Sequence, residues 1–374
     1  QLVVAGHIIF PDSSFKNDGS VNATSVGGGP IAGGNDDGGF DALVPNLYWV
    51  TAIDEVSKFG LGINAPFGLA IKYDDDWVGR YHAVDSDLKT LNFNPSIGYQ
   101  VNDQLSIGGG IDILFADVIL SSAIDFGALL GQPGTQDGFA ELTGDNIDDP
   151  AFGFNFGLQY EFSRETILGV AYRSEIDVDV EGDADFSVPL GAGVVAGTGV
   201  FADTGLKAGI TLPASLSFSV SHKVDQFTWL ADITWTGWSS FDELRIIYDN
   251  DLQPDTVTTE DWDDTFRYSV GFDYQYTPEM TWRAGLAFDE TPVPSAERRT
   301  PRLPGNDRTW LSFGMSYTLD ETLSLDVGYS HLFIKDAKVN NELESESSAN
   351  VQATLIGEYE ATVDILSVQL NWKY

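Results

Sequence analysis

Leu366-Ser367-Val368-Gln369-Leu370-Asn371-Trp372-Lys373-Tyr374, the C-terminal stretch of the chain, alternates apolar with polar side chains at every step. Successive side chains of an extended strand point to opposite faces, so this stretch predicts a strand with one greasy face and one wet face. The same period of two runs through Phe152, Phe154, Phe156, Leu158, Tyr160 and Phe162, with Gly153, Asn155, Gly157, Gln159 and Glu161 between them. It returns at Phe266, Tyr268, Val270, Phe272, Tyr274 and Tyr276, and again at Leu216, Phe218, Val220, His222 and Val224. Further strands are predicted over 2–10, 43–53, 57–67, 88–101, 104–119, 165–181, 226–247, 280–289, 308–318 and 322–334, which makes fourteen in all.

The filling of the second face decides between a soluble sandwich and a membrane barrel. A soluble sandwich turns its apolar faces inward and meets water with Lys, Glu and Thr. Here the second face is Gly, Ser, Asn and Gln with scattered charge, which suits a wet, crowded lumen. Aromatics gather toward the strand ends on the apolar face, where interfacial girdles belong. The connections alternate in length. Short links fall at 54–56, 102–103, 163–164, 224–226, 277–279 and 320–321, and long ones at 11–42, 68–87, 120–149, 182–203, 248–262, 290–306 and 335–352. Short turns on one side and long loops on the other predict a transmembrane antiparallel β-barrel of the bacterial outer membrane. The fold class is therefore all-β: fourteen strands, short periplasmic turns, long extracellular loops, and a single domain over 1–374.

Composition agrees. The 374 residues carry 57 Asp plus Glu against 19 Lys plus Arg, a formal net charge of −38, which argues against a nucleic-acid partner. With no cysteine, disulfides and thiolate metal sites are excluded. No apolar run reaches the roughly 20 residues a membrane helix needs, so a membrane-spanning form must be a closed barrel. The four histidines, His7, His82, His222 and His331, are widely spaced, and neither Gly-x-Ser-x-Gly nor His-Glu-x-x-His occurs. No catalytic residues, resident metal or cofactor are therefore assigned. Asn22-Ala23-Thr24 matches a glycosylation acceptor, a pattern frequent by chance.

The long loops hold the functional candidates. Phe126, Leu129 and Leu130 make loop 120–149 unusually greasy, with spacing compatible with a short amphipathic helix; Leu190, Val194 and Phe201 do the same for loop 182–203. So much apolar surface must be covered by the other loop, by lipid or by an apolar ligand. Four of the scarce basic residues, Arg298, Arg299, Arg302 and Arg308, fall together in and just after loop 290–306, and arginine suits a carboxylate. Strand parity puts Arg173, Arg267 and Arg283 on the lumen face, where the competing account is pairing with carboxylates such as Glu161, Asp273 and Asp326. Acidic clusters, among them Asp36-Asp37, Asp74-Asp75-Asp76, Asp261 with Asp263 and Asp264, and Glu342, Glu344 and Glu346, read either as a solvated rim or as divalent-cation sites bridging to lipopolysaccharide phosphates.

Several strings also resemble one family. Pro45-Asn46-Leu47-Tyr48-Trp49-Val50, Tyr172-Arg173-Ser174-Glu175, Thr234-Trp235-Thr236-Gly237-Trp238-Ser239-Ser240-Phe241, Phe288-Asp289-Glu290-Thr291-Pro292-Val293-Pro294 and Asp307-Arg308-Thr309-Trp310-Leu311-Ser312 occur in the order and spacing of the FadL/TodX outer-membrane transporters. The resemblance covers essentially the whole chain. It implies a fourteen-stranded barrel and passive uptake of long-chain fatty acids or other hydrophobic compounds, such as hydrocarbons and aromatics. It further implies capture in a groove of the third and fourth loops, here 120–149 and 182–203, then a tighter pocket inside the barrel. Exit is sideways through the wall where the third strand kinks, matched here by Asn64, Pro66, Phe67 and Gly68; Pro66 removes a ladder donor. The family also has an N-terminal plug with an Asn-Pro-Ala motif, expected to be missing from the residues given. Ser122 stands where the best-known member of the family has an arginine, which leaves the carboxylate partner open and admits a less acidic ligand. The competing function is a general or cation-preferring porin for hydrophilic solutes; an outer-membrane enzyme or adhesin has no motif behind it.

Overall fold

Alternation along the chain becomes one antiparallel sheet of twenty-one strands in a computed structural model that describes residues 1–23, 27–344 and 353–374. The first third contributes β1 (Leu2–Asn17), β2 (Ala42–Ala52), β3 (Ser57–Asn64), β4 (Gly68–Lys72), β5 (Asp85–Gln100), β6 (Leu105–Asp125) and β7 (Asp137–Asp145). Then come β8 (Ala151–Glu161), β9 (Thr166–Arg173), β10 (Ile176–Ser187), β11 (Thr204–Leu212), β12 (Ser215–Val224), β13 (Phe227–Thr236) and β14 (Glu243–Tyr248). The chain finishes with β15 (Thr256–Thr259), β16 (Thr265–Gln275), β17 (Met280–Asp289), β18 (Arg308–Thr318), β19 (Leu323–Ile334), β20 (Ala337–Glu342) and β21 (Thr354–Trp372).

Fourteen of these close a ring: β1, β2, β3, β5, β6, β8, β9, β12, β13, β16, β17, β18, β19 and β21, with β21 pairing back onto β1. The barrel predicted from the sequence is thus the barrel found. Its outer face carries exposed Val4, Ile8, Ile111, Phe154, Phe218, Val270, Phe313 and Leu366, the apolar band that lipid covers. Its lumen is lined by Ser217, Ser219, Ser221, Gly271, Gly285, Gly314, Ser330 and Gln369 around a cavity of ≈1130 Å³. The remaining seven strands extend the wall outward: β4 on β5, β20 on β21, and a ladder β6–β7–β10–β11–β14–β15.

In this outer tier the faces exchange character. Strand β10 reads Ile176-Asp177-Val178-Asp179-Val180-Glu181, with the aliphatic residues buried and the carboxylates exposed. Strand β1 likewise turns Phe15 inward above Phe10, and β21 buries Leu355 and Tyr359 above its outward Leu366 and Val368. Above the membrane water lies outside and the apolar core inside, so the same period of two demands the opposite sidedness. That exchange is why β1 and β21 run beyond the predicted 2–10 and 366–374. The predicted strands 165–181 and 226–247 are each split, at Ser174–Glu175 and at 237–242. Each half pairs with different partners: β9 with β8 and β12, but β10 with β7 and β11. Ser174 N–H donates to Phe154 O, and Gly237 N–H to Ala214 O beside Pro213, so the splits lie along one seam where wall and outer tier separate. Loop 120–149 accordingly holds the end of β6, one helical turn at Phe126–Leu129 and β7.

Candidate functional site

The apolar loop residues divide by exposure. Phe126 and Phe201 are buried against each other, ring centroids 4.9 Å apart, in a cluster with Ile124, Ala140 and Ala192 that Leu129, Phe186 and Val195 border. Leu190 and Val194 are 102% and 80% exposed and Leu130 is also exposed, so the loops both pack on one another and present a bare apolar edge. Below them the clusters connect. Phe186 also borders a cluster of Ala184, Leu206, Ile246 and Tyr248, and Ala208 links that to Leu114, Ile176, Val178 and Leu212. Ile210 continues into Phe241, Trp262 and Val293, with Trp238 and Leu303 at their side.

This apolar column ends at the break between β3 and β4. Asn64 pairs with Asn92 and Gly68 with Lys89, so three residues, 65–67, face two on β5. Pro66 cannot donate to the ladder, and the surplus residue must leave the sheet plane. Phe67 is held in place by Thr90, whose hydroxyl accepts from Phe67 N–H at 3.1 Å and donates to Phe67 O. The Phe67 ring meets Trp238 at 6.2 Å, although β3 and β13 are far apart around the ring, so the segment reaches across the top of the lumen. On the other side, the β2–β3 ladder stops at Leu47↔Ile63, while β2 continues against β1 up to Ala42. The upper part of β2 therefore has a strand partner on one side only. Asn64 faces inward beside Tyr48, and its Oδ1 is buried without a donor.

The basic residues fall into three situations. Arg298 pairs with Asp261 at 2.8 Å and Glu344 at 3.8 Å, Arg308 with Asp289 at 2.9 Å, and Arg283 in the lumen with Asp326 at 3.1 Å and Asp273 at 3.4 Å. Arg173 and Arg267 sit on lumen faces opposite Ser215 and Thr234, and neither has an ion pair among the described residues. Arg299 and Arg302 hydrogen-bond to carbonyls: Arg299 to Gly305 and Lys338, Arg302 to Asp85 and Ser121 as well as to Ser86 Oγ. Burial lowers the pKa of Arg299 and brings that of Arg302 down to about 10. The expected four-arginine group is therefore spread over several partners, with Arg302 beside the column.

The acidic clusters mostly brace loops: Asp37 accepts from Ser13 and Gly39 N–H, and Asp264 from Ser239 N–H and Trp235 Nε1. Among the described residues no three His, Asp or Glu side chains converge as metal ligands. Thr24 and Glu346 lie outside the described residues. The histidines are scattered: His222 faces lipid beside Thr166, His331 pairs with Asp364, His7 with Ser367, and buried His82 with Asn341 O.

Compared with known proteins, residues 2–374 match the family model described as outer membrane protein transport protein (OMPP1/FadL/TodX). The chain belongs to the FadL/TodX family. Its FadL/TodX relatives include the long-chain fatty acid transport protein of Escherichia coli O6:H1, 31% identical over 78% of this chain and 69% of that protein. The 47 kDa outer membrane protein of Pasteurella multocida is 33% identical over 83% and 75%. A crystal structure of a Pseudomonas aeruginosa FadL homologue superposes with a TM-score of 0.87 at 25% identity, covering all of this chain and 90% of that one. The Pseudomonas putida toluene transporter TodX shares the fold, with a TM-score of 0.67 at 16% identity over 100% and 90%. Like other FadL/TodX members, this is an outer-membrane transport protein and not an enzyme.

Two features of the site carry no signal in the sequence. Glu260 is buried beside Trp262, yet it sits in the acidic run Thr259-Glu260-Asp261-Trp262-Asp263-Asp264, whose other members look the same on paper. Thr90 has the ordinary parity of a strand residue, and nothing local marks its grip on Phe67.

Proposed function

We propose that this protein takes long-chain fatty acids or similar hydrophobic compounds inward across the outer membrane by passive diffusion. The loop edge formed by Leu130, Leu190 and Val194, over Phe126, Leu129 and Phe201, makes first contact, and the ligand passes down the apolar column. It leaves sideways at Asn64, Pro66, Phe67 and Gly68, with Arg302, the one of the four loop arginines that lies beside the column, receiving a carboxylate where the ligand has one. The observation that carries this reading is where the column stops: its clusters run from the loops to Phe67, and the Ser- and Gly-lined lumen begins below. An apolar ligand moving straight on would enter a polar channel, whereas upper β2 beside Phe67 lacks a ladder partner on one side, which supports a sideways exit toward hydrocarbon there. The relatives named for fatty acid transport support the same ligand class. Arg173 and Arg267, which face the lumen below the split seam, then attract the anionic head during exit. The exposed acidic loop clusters, such as Asp74-Asp75-Asp76, face lipopolysaccharide, where divalent cations bridge them to its phosphates.

The test is saturable binding of a radiolabelled long-chain fatty acid to the purified barrel, with an alkane and a sugar as competitors. Displacement by the alkane alone is expected. No saturable binding, together with large ion conductance in planar bilayers, would sink the reading in favour of a hydrophilic pore through the polar lumen.

A further inference from the structure

Asp112 on β6 is a carboxylate set wholly inside the barrel wall, 0% exposed, and three amides hold it. Asn92 Nδ2 donates to Oδ1 at 2.6 Å, Asn94 Nδ2 to the same oxygen at 3.1 Å, and Asn155 Nδ2 to Oδ2 at 3.1 Å. These bonds tie β5, β6 and β8 together just below the break in β3. They also patch the wall. The β5–β6 ladder is interrupted between Phe93↔Ile113 and Ser96↔Gly110, where Pro95 has no N–H to give, and Asn94 Nδ2 donates to Ile111 O at 3.1 Å. A carboxylate only accepts, whereas a primary amide donates at one end and accepts at the other. Asp112 therefore turns all three NH2 groups toward itself and all three carbonyl oxygens away.

The oxygens so presented have no donor. Asn92, 1% exposed, keeps its Oδ1 buried and unpaired, and the Oδ1 atoms of Asn94 and Asn155 accept from no described residue. Asn64 adds a fourth: it stands directly across from Asn92 on the last rung below the break, its Nδ2 lies 3.5 Å from Tyr48 Oη, and its Oδ1 is unpaired. Asn64, Asn94 and Asn155 line one cavity of ≈500 Å³ on the lumen face, together with Ser96, Arg173 and Ser215. Gly60 and Gly62 make the room for it, facing inward opposite Ser96 and Asn94; a Cβ on Gly60 would come within 2.8 Å of Ser96 Oγ. The cavity adjoins the end of the apolar column, because Thr90, which grips Phe67, is two residues from Asn92 on the same face of β5. We propose that this cavity is a head-group site for ligands whose polar end donates a hydrogen bond, a hydroxylated long-chain hydrocarbon being the simplest, and that Asp112 sets its specificity by fixing which way the amides face. This rests on the transport reading above and adds a selection by head group at the exit.

A hydroxyl suits the cavity on both counts. Its O–H donates to an amide oxygen, and its lone pairs accept from Arg173, which stands beside Asn155 on β9 and has no ion pair among the described residues. An ether of the same length accepts from Arg173 but leaves every amide oxygen without a donor, and an alkane serves neither. The difference is amplified by burial, because an acceptor shut away from water and left unpaired forfeits its hydration and regains nothing. Asp112 acts through its neighbours and touches no ligand itself. With an amide at position 112, either end of each neighbouring asparagine can turn toward it, and the cavity then shows nitrogens as readily as oxygens.

The experiment uses the whole barrel in lipid nanodiscs and three probes: a long-chain primary alkanol, its methyl ether and the alkane of the same chain length. Equilibrium binding of each is measured for the wild type, Asp112→Asn and Asn155→Leu. The wild type should hold the alkanol about tenfold more tightly than the ether, the worth of one donor placed on a buried acceptor. In Asp112→Asn, where the amides lose their orientation, and in Asn155→Leu, where one acceptor is gone, that ratio should fall to about threefold or less. Alkane affinity should stay at the wild-type value in both, which a general loosening of the barrel would not allow. Asn155→Leu leaves Asp112 two of its three amides and decides the matter if Asp112→Asn does not fold. Alkane binding without a preference for the alkanol in the wild type, or a tenfold preference that persists in either variant, would overturn this inference alone. Failure of the wild type to bind any of the three would overturn the transport reading and this inference with it.

Discussion

Single residues here act by being in the wrong solvent. Glu260 is held in a pocket of tryptophan and valine, and its pKa rises from the ordinary 4.5 to about 7 because the charged form is desolvated. A raised acid contributes stability in its neutral form, so the contribution is present below pH 4.5 and is lost as pH rises through about 7. The loss amounts to about 3 kcal/mol if the whole shift is expressed. Glu260→Gln should therefore unfold at the same temperature as the wild type at pH 4, and a few degrees higher at pH 9. A variant that is less stable at pH 9 would contradict the assigned burial. Arg302 is the complementary case, an arginine kept among carbonyls and drawn down in pKa by the same lack of water.

At the level of strands, the decisive element is the interruption after β3. Its geometry depends on two hydrogen bonds from one hydroxyl, Thr90 to both polar groups of Phe67. Thr90→Val keeps the shape of the side chain and removes both bonds, leaving a peptide unit without partners at a cost of about 1–3 kcal/mol. Amide exchange at Phe67 and Gly68 should then accelerate at least fivefold, with no change at Phe59 or Leu61; unchanged exchange would mean that other contacts hold the segment. The barrel strands could be read because lipid on one side and lumen on the other impose the simplest alternation there, as in Phe152 to Phe162. What could not be read depends on distant neighbours. Nothing near Ser174 announces that β9 and β10 take different partners, and the apolar side of β10 is inside where that of β8 is outside. The apolar loop residues stand out by composition and the Pro66 break through the family resemblance, whereas Glu260 becomes conspicuous only when Trp262 closes over it.

Taken whole, the molecule carries 38 excess negative charges, and the outer tier holds many of its outward carboxylates on neighbouring strands. Asp117, Asp145 and Glu181 stand directly across from one another on β6, β7 and β10, an arrangement that like charges oppose. Screening should relieve this repulsion. Between about 10 mM and about 1 M NaCl the Debye length shrinks from roughly 30 Å to 3 Å. Protease cleavage of the outer loops should slow markedly over that range, and cleavage that stays constant or quickens would show that the repulsion is already neutralised by bound cations. The ring itself makes a different demand. Every other joint of the barrel links strands that are near in sequence, but the seam of β1 with β21 sets Leu2 against Trp372 and continues for sixteen pairs to Asn17↔Gly357. Until β21 exists, β1 is an open edge with a full row of unpaired amides and carbonyls, able to pair with any other strand it meets. The entropy of joining such distant segments grows only slowly with their separation, so the seam is affordable at equilibrium yet late in time. Folding of this protein must therefore end in a single zippering event, and the hazard for the cell is the interval before it, when the first strand waits for the last.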